Sequence, residues 1–224
     1  MTVNIVYLHG FASSPQSKKA QDMRERLKPY DVHFTVPDLN VPCFEQLNFT
    51  AILEKVAQTV RNLPDGPVYL IGSSMGGSVA LHFADRYRDA EAKRVEKMIL
   101  LAPAIDFFAN RQRQLGDNWL QQWKAAGSIP FYHYGYAVEK PVHYGLIEDL
   151  QQYDGYSVKL DIPIRIYHGR HDDSVDCQQS ERYAQENSNV ELHILDSDHT
   201  LLDKTDVIFE GVVAFFGLGE HNNG

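Results

Sequence analysis

The chain has 224 residues, of which 43% are hydrophobic and 23% charged, and its formal net charge is -9. This is the composition of a soluble globular protein, and the length favours one domain with a substantial core. The negative charge argues against nucleic acid or an anionic membrane as the main partner, because phosphate groups require a basic surface. Two cysteines, Cys43 and Cys177, lie in no metal-binding spacing and favour a reducing compartment.

The N-terminal stretch MTVNIVYLHG has no basic region, and only about six apolar residues precede its histidine and glycine. It predicts a first strand and not a signal peptide. No apolar run approaches the roughly 20 residues that a membrane-spanning helix needs. We therefore expect a cytoplasmic protein without stable membrane insertion, either a monomer or a homodimer.

Short apolar runs recur without strict alternation, which is typical of strands buried on both faces of a parallel sheet. The predicted strands are Val3–Leu8, Val32–Val36, Val68–Ile71, Met98–Leu101, Ile164–Tyr167 and Val190–Leu195. The predicted helices between them are Gln16–Leu27, Phe49–Asn62, Met75–Arg88, Asp176–Glu186 and Asp203–Phe216. This alternation predicts an α/β fold with a doubly wound, mostly parallel six-stranded sheet. Ligands of such sheets bind outside the carboxyl ends of the strands.

The stretch from Ala104 to about Tyr156 interrupts the alternation. It contains no convincing strand, a helix-like segment over Asn110–Ala126, the aromatic passage SIPFYHYGYAV and a short helix around Gly145–Tyr153. Long insertions in compact domains are usually functional. We expect a single domain over residues 1–224 with a small helical cap at about 104–156.

The candidate nucleophile is Ser74, in the stretch YLIGSSMGGSVALHFA. An apolar strand ends at Gly72 and an amphipathic helix begins after Ser74, so the G-x-S-x-G pattern has the strand–turn–helix context of a nucleophile elbow. Ser73 is the alternative serine, but Ser74 is centred between the glycines. A turn that only caps the helix is the structural alternative.

A serine hydroxyl needs a base, and His199 follows the last predicted strand. Asp172 and Asp173 follow the preceding strand, where a carboxylate can orient the histidine. We prefer Asp172, with Asp173 second and Asp106 third. The chain order Ser, Asp, His also matches the arrangement that accompanies a nucleophile elbow.

The first strand ends in YLHGFASSP. In this interpretation the backbone N–H groups of Phe11 and Met75 form the oxyanion hole. His9 is predicted to order the loop without touching the substrate.

Four motifs together resemble the α/β-hydrolase superfamily: His9-Gly10-Phe11, Gly72 to Gly76, His168 to Asp173, and Ser197-Asp198-His199. The resemblance is to small serine esterases and thioesterases, such as the YqiA-type bacterial esterases and the ABHD10-type esterases. It implies Ser74 as nucleophile, His199 as base and Asp172, four residues after His168, as the acid. Asp176 stands where the family often has proline, and the segment 104–156 matches nothing firmly.

The predicted activity is hydrolysis of a small-molecule carboxylic ester or thioester through an acyl-enzyme, which needs no metal and no organic cofactor. The candidate substrate-binding residues are the aromatic side chains of the insertion, Phe107, Phe108, Trp119, Trp123, Tyr132 and Tyr134. Arg111 and Arg113 are candidates for an anionic substrate group, with surface solvation as the alternative. A peptidase, lactonase or carbon–carbon hydrolase with the same triad is the second hypothesis, and a non-catalytic binding protein the third.

Overall fold

The computed structural model describes residues 2–219. Its strands and α-helices, numbered in chain order, are β1 (Val3–Leu8), α1 (Lys18–Leu27), β2 (Val32–Thr35), α2 (Phe49–Arg61), β3 (Val68–Ser73), α3 (Met75–Arg86), β4 (Val95–Leu101), α4 (Phe107–Leu115), α5 (Trp119–Ala126), β5 (Ser128–His133), β6 (Val138–His143), α6 (Gly145–Leu150), β7 (Ile164–Gly169), α7 (Gln178–Glu186), β8 (Val190–Leu195) and α8 (Thr205–Phe216). Short 3₁₀ turns cover Phe44–Gln46, Glu91–Arg94, Gly155–Ser157 and Leu202–Lys204.

Six parallel strands form the central sheet in the order β2-β1-β3-β4-β7-β8. The chain enters the sheet at β1, places β2 on one side of it, and then adds β3, β4, β7 and β8 in turn on the other side. This is the doubly wound arrangement. The predicted α/β fold is confirmed, and all six predicted strands are present. The carboxyl ends of β3, β7 and β8 lie along one edge of the sheet, so the loops after them meet there.

Alternate residues of β1 enter two separate cores. Val6 and Leu8 pack in the larger core, which α2, α3 and α7 cover. Ile5 and Tyr7 pack in the smaller core beneath α1 and α8. Full burial of one such aliphatic side chain stabilises the fold by about 1.5–3 kcal/mol, and burial on both faces explains the unbroken apolar run from Ile5 to Leu8.

A β-hairpin lies where the sequence indicated no strand. β5 and β6 pair antiparallel, with Pro130 opposite Pro141, and form a separate two-stranded sheet. Each strand has an unpaired outer edge, so a proline there removes no bond to a third strand. Proline is uncommon within strands, so these two segments did not resemble strands in the sequence. The prediction that residues 104–156 contain no strand is therefore wrong.

The predicted helix over Asn110–Ala126 is in fact two helices. Gly116 follows α4 with φ of 84° and redirects the chain before α5. Asp106 caps the start of α4, because its side chain accepts a hydrogen bond from the N–H of Ala109 at 2.9 Å. The predicted short helix around Gly145–Tyr153 is present as α6.

The hairpin is attached to the rest of the molecule at both ends of its ladder. The indole Nε1 of Trp123 donates to the carbonyl of Val142 at 2.9 Å, and Lys140 forms an ion pair with Glu45. The N–H of Tyr134 donates to the carbonyl of Ala12 at 2.9 Å. These contacts hold the hairpin beside the loop that follows β1.

A buried histidine on α3 makes the stability of the fold dependent on pH. His82 is 6% exposed and packs against the rings of Phe49 and Tyr153. Burial lowers its pKa to about 4 from 6.5, and Asp85 and Asp154 oppose this only in part. The unfolded chain therefore binds a proton between pH 6.5 and 4 that the folded chain does not, and stability falls as the pH falls through this range.

Replacing this side chain by His82→Gln should reduce the pH dependence. From pH 7 to pH 4.5 we expect the wild type to lose about 2 kcal/mol more unfolding free energy than the variant, given 1.36 kcal/mol per pKa unit. Urea titrations at the two pH values measure the difference. His33→Gln is the control, because His33 is exposed. Equal losses in wild type and His82→Gln would contradict the prediction.

Candidate active site

Ser74 occupies the turn between β3 and α3 in a strained backbone conformation. Its φ is 54° and its ψ is -120°. A non-glycine residue at positive φ costs about 1–3 kcal/mol and is held only where its surroundings determine it. The N–H of Ser74 donates to the carbonyl of Leu101 at 2.9 Å, and its carbonyl accepts from the N–H groups of Gly77 and Ala104. These bonds fix the turn and set Ser74 at the carboxyl end of the sheet.

The glycines around Ser74 are required by close backbone contacts. A Cβ atom at Gly72 would lie 2.5 Å from the carbonyl oxygen of Gly76. A Cβ atom at Gly76 would lie 2.1 Å from the carbonyl oxygen of Leu8. In both cases the obstacle is backbone, which cannot rotate away. The G-x-S-x-G pattern is therefore the sequence signature of α3 packing tightly on β1 and β3.

His199 lies between Ser74 and Asp172. Its Nε2 is 3.1 Å from the Ser74 Oγ, and its Nδ1 is 2.6 Å from the Asp172 Oδ2. Because Nδ1 faces a carboxylate, it carries the proton, and Nε2 presents its lone pair to the serine hydroxyl. The structure thus brings together the three residues that the sequence singled out.

Asp172 is buried and held as a carboxylate. Its side chain has no exposed surface, and its Oδ1 accepts hydrogen bonds from the N–H groups of Ser174 at 2.9 Å and Val175 at 2.7 Å. Burial alone would raise the pKa of Asp172, but hydrogen bonds from His168 and His199 outweigh burial and hold the pKa well below its usual range. The negative charge is therefore present at neutral pH to orient His199.

His168 is a partner of Asp172 that the sequence interpretation did not assign to a role. It is fully buried, and its Nε2 lies 3.1 Å from the Asp172 Oδ2 and 3.2 Å from the carbonyl of Val175. Nε2 faces two acceptors and must donate, so Nδ1 accepts from the Ser180 hydroxyl at 2.7 Å. The sequence feature that could have indicated this contact is the spacing of four residues between His168, near the end of β7, and Asp172, in the turn after it.

The alternative residues lie elsewhere. Ser73 is buried at the end of β3, and Asp173 is exposed and contacts the hydroxyl of Ser174. Asp106 caps α4, as described above. His9 is buried, and its Nε2 accepts from the N–H of Leu39 at 3.0 Å. His9 therefore ties the loop after β1 to the chain beyond β2, as the sequence predicted.

The backbone near Phe11 and Met75 supplies two N–H groups beside Ser74. Met75 is the first residue of α3, so its N–H has no acceptor within the helix. Within residues 2–219, neither N–H donates in any turn, loop or cap hydrogen bond. The loop carrying Phe11 passes close to the elbow, since a Cβ atom at Gly10 would lie 3.2 Å from the Ser74 Cβ. Both N–H groups therefore lack an acceptor within the described residues, as the predicted oxyanion hole requires.

A cavity of about 300 Å³ opens at Ser74 and His199. This volume is at the lower end of the range of about 300–1,000 Å³ for small-molecule sites. One wall is the loop after β1 with Phe11 and Ala12, and another is the face of α4. The hairpin closes a third side. The lining residues are Phe11, Ala12, Ser74, Met75, Ala104, Phe107, Asn110, Arg111, Gln114, Phe131, Tyr132, Tyr134, Ser174, Val175 and His199.

Three of the six predicted substrate-binding aromatics line this cavity, namely Phe107, Tyr132 and Tyr134. The other three do not, and the prediction for them is corrected. Trp119 and Trp123 are 3% and 0% exposed and belong to the larger core, where they join α5 to the hairpin. Phe108 lies one residue after Phe107, so it projects from another face of α4 and packs near Trp119.

The cavity wall also includes side chains that were not among the predicted substrate-binding residues, among them Asn110, Gln114 and Phe131. Arg111, a predicted candidate for an anionic substrate group, lines the wall as well, whereas Arg113 does not. Asn110, Arg111 and Gln114 share one face of α4 with Phe107 at spacings of three, four and seven residues. This helical spacing could have grouped these residues on one face. It does not show which face of the helix lies toward Ser74, because that depends on tertiary packing.

Two kinds of feature are absent from residues 2–219. No helix there is both long enough and apolar enough to cross a bilayer. No group of three or more histidine, cysteine, aspartate or glutamate side chains there is arranged to hold a metal ion.

Several known proteins similar to this chain are named as hydrolases, esterases or thioesterases. The human mitochondrial palmitoyl-protein thioesterase ABHD10 is 28% identical over 159 residues, which are 68% of this chain and 50% of that protein. The chain thus spans about half the length of the curated relatives it matches. The structure of mouse α/β-hydrolase domain-containing protein 10 is similar with a TM-score of 0.78 and 20% identity, over 96% of this chain and 89% of that one.

A bacterial esterase has the same fold. Est1E from Butyrivibrio proteoclasticus, in its complex with ferulic acid, gives a TM-score of 0.78 at 18% identity over 96% of this chain and 88% of that chain. These likenesses show the α/β-hydrolase fold. A family model matches residues 4–217, and this chain belongs to that family, the uncharacterised protein family UPF0227.

Proposed function

We propose that this protein is a serine carboxylesterase or thioesterase, with Ser74 as nucleophile, His199 as general base and Asp172 as the orienting acid. The observation that carries the proposal is the hydrogen-bonded chain from the Ser74 Oγ through His199 to Asp172 at the mouth of a cavity. The human relative's name, a palmitoyl-protein thioesterase, supports the same bond class.

The reaction proceeds by two acyl transfers. His199 Nε2 takes the hydroxyl proton as the Ser74 Oγ attacks the ester or thioester carbonyl. The N–H groups of Phe11 and Met75 donate to the oxyanion, and α3 adds the positive end of its dipole. His199 then gives its proton to the leaving alcohol or thiol, and a water activated by the same nitrogen hydrolyses the acyl-enzyme.

The segment at 104–156 acts as the cap of this site. Its helix α4 and its hairpin supply seven of the fifteen residues that line the cavity, and they bear aromatic rings that would contact an acyl chain. A cavity of about 300 Å³ favours small to medium acyl groups. The cytoplasmic location expected from the sequence stays a prediction, and the human relative is named as mitochondrial.

Two measurements test the proposal. A fluorophosphonate probe should label the protein on Ser74, located by mass spectrometry of the peptide. Turnover of p-nitrophenyl esters from acetyl to palmitoyl should be fastest with short chains such as butyryl or hexanoyl, because the cavity is small. A maximum at palmitoyl would contradict the assigned acyl size, and absence of both labelling and turnover would contradict the esterase function.

A further inference from the structure

Arg111 is a cation in the wall of the cavity, enclosed by aromatic rings. Its guanidinium carbon lies 4.7 Å from the ring centroid of Phe11, 4.9 Å from that of Phe107 and 5.1 Å from that of Phe131. Arginine stacks on aromatic faces because the ring quadrupole attracts its charge. The three rings hold the guanidinium beside the loop that carries the Phe11 N–H.

The hydrogen-bonding capacity of Arg111 is mostly unused. Its Nη1 donates to the Gln114 Oε1 at 2.6 Å, and the Gln114 Nε2 in turn donates to the carbonyl of Ser174 at 3.0 Å. The Nε is buried and has no hydrogen-bond partner, although a guanidinium has five N–H donors. No carboxylate of residues 2–219 lies within 4 Å of Arg111.

The neighbouring arginine shows the ordinary arrangement. Arg113 is exposed, and its Nη1 lies 3.7 Å from the Asp176 Oδ2. Arg111 is partly buried, and a cation that loses hydration without gaining an anion is destabilising, because the protein restores only part of the lost hydration. Burial lowers the pKa of Arg111 to about 10, so the side chain is still charged at neutral pH.

The cavity has no acidic side chain of its own. The protein carries a net charge of -9, yet no aspartate or glutamate of the described residues lines the cavity. Arg111 is thus the one permanent charge on its lining, and it is positive. A substrate that brings a negative group would supply the missing partner and would find no acidic wall to repel it.

We propose that Arg111 binds a carboxylate of the substrate, so that the preferred substrates are esters or thioesters carrying a carboxylate a few bonds from the scissile carbonyl. This rests on the proposed function, in which Ser74 cleaves the ester in the same cavity. The planar guanidinium matches a carboxylate, and a charge-assisted bond of this type is about twice as strong as a neutral one. Gln114 orients the guanidinium through Nη1, and within the described residues the Nη2 of Arg111 makes no hydrogen bond and is left for the ligand.

The first test compares matched esters. On the acyl side, the 4-nitrophenyl half-ester of glutarate differs from 4-nitrophenyl pentanoate only by a carboxylate in place of the terminal methyl group. On the leaving-group side, 4-carboxyphenyl butanoate is compared with its neutral carboxamide. In at least one pair, we expect kcat/KM to be about 10-fold to 100-fold higher for the charged ester.

Substitutions at Arg111 test whether this residue causes the preference for the charged ester. Arg111→Met should bring the charged-to-neutral ratio of kcat/KM close to one, and Arg111→Lys should restore part of it. Arg113→Met is the matched control and should keep the wild-type ratio. The proposal is overturned if neither pair shows a preference, or if Arg111→Met leaves the ratio unchanged.

A binding measurement separates this proposal from the proposed function. Calorimetric titration of Ser74→Ala with glutarate and with neutral glutaramide requires no turnover. Tighter binding of glutarate by about 10-fold, lost in the double variant with Arg111→Met, supports the anion site even if no ester is hydrolysed. Equal affinity for the two ligands would overturn the anion site while leaving any Ser74-dependent hydrolysis intact.

Discussion

Ser74→Ala should abolish ester hydrolysis, with kcat reduced by about 10⁴-fold to 10⁶-fold. The Ser74 Oγ is the one hydroxyl at hydrogen-bond distance from the His199 Nε2 among the described residues. Without it no acyl-enzyme forms, and water must attack without the positioned nucleophile. The substitution removes one oxygen from the cavity wall and leaves the core intact. The measurement is the initial rate with p-nitrophenyl butyrate, together with the melting temperature.

Ser73→Ala is the matched control, because it changes the adjacent serine of the same turn. Ser73 is buried at the end of β3 and does not line the cavity. We expect Ser73→Ala to retain fluorophosphonate labelling and most of the turnover. Loss of turnover in Ser73→Ala together with retention in Ser74→Ala would reverse the assignment of the nucleophile.

Asp172→Asn should lower kcat by about 10⁴-fold, although the side chain keeps its shape. The Oδ1 position accepts from the N–H groups of Ser174 and Val175, so the amide oxygen must occupy that position. The amide nitrogen then replaces the Oδ2 and presents N–H groups to His199. His199 must accept at Nδ1 and carry its proton on Nε2, where it cannot take the proton from Ser74.

Asp173→Asn is the control for this substitution. It makes the same chemical change one residue later, at an exposed carboxyl that contacts only the Ser174 hydroxyl in the described structure. We expect kcat within about twofold of wild type, as is usual for a surface change away from the site. Turnover of Asp172→Asn within about tenfold of wild type would contradict the role of Asp172.

The central sheet was predictable because its strands are short apolar runs, and the four inner strands β1, β3, β4 and β7 are largely buried on both faces. β1 and β8 have the predicted limits, Val3–Leu8 and Val190–Leu195, and β3 runs two residues beyond its predicted end. The hairpin was not predictable, because Pro130 and Pro141 are acceptable only in a ribbon with free outer edges. Whether a segment forms such a ribbon depends on what it packs against, which the local pattern does not contain.

The candidate site likewise has a part that could be predicted from the sequence and a part that could not. Ser74, Asp172 and His199 follow strands, and the topology of a parallel sheet brings the loops after its strands to one edge. The cavity wall depends on how the 104–156 segment packs. Trp119 and Trp123 are large and aromatic like Tyr132, but packing places them in the core. Arg111 and Arg113 are the same residue type on the same helix and differ only in their surroundings in the folded protein, which the spacing in the sequence does not reveal.

The position of the cavity wall in the chain has a consequence for how this protein can diversify. The proposed reacting groups at Ser74, Asp172 and His199 come from loops after three different strands, whereas α4 and the hairpin supply their part of the wall from the single stretch 107–134. Recombination at two points in the gene could therefore exchange this whole part of the cavity wall in one event. Ser74, Asp172 and His199 would stay unchanged. A chimaera made by grafting that stretch from a relative should inherit the donor's substrate range and the recipient's turnover machinery.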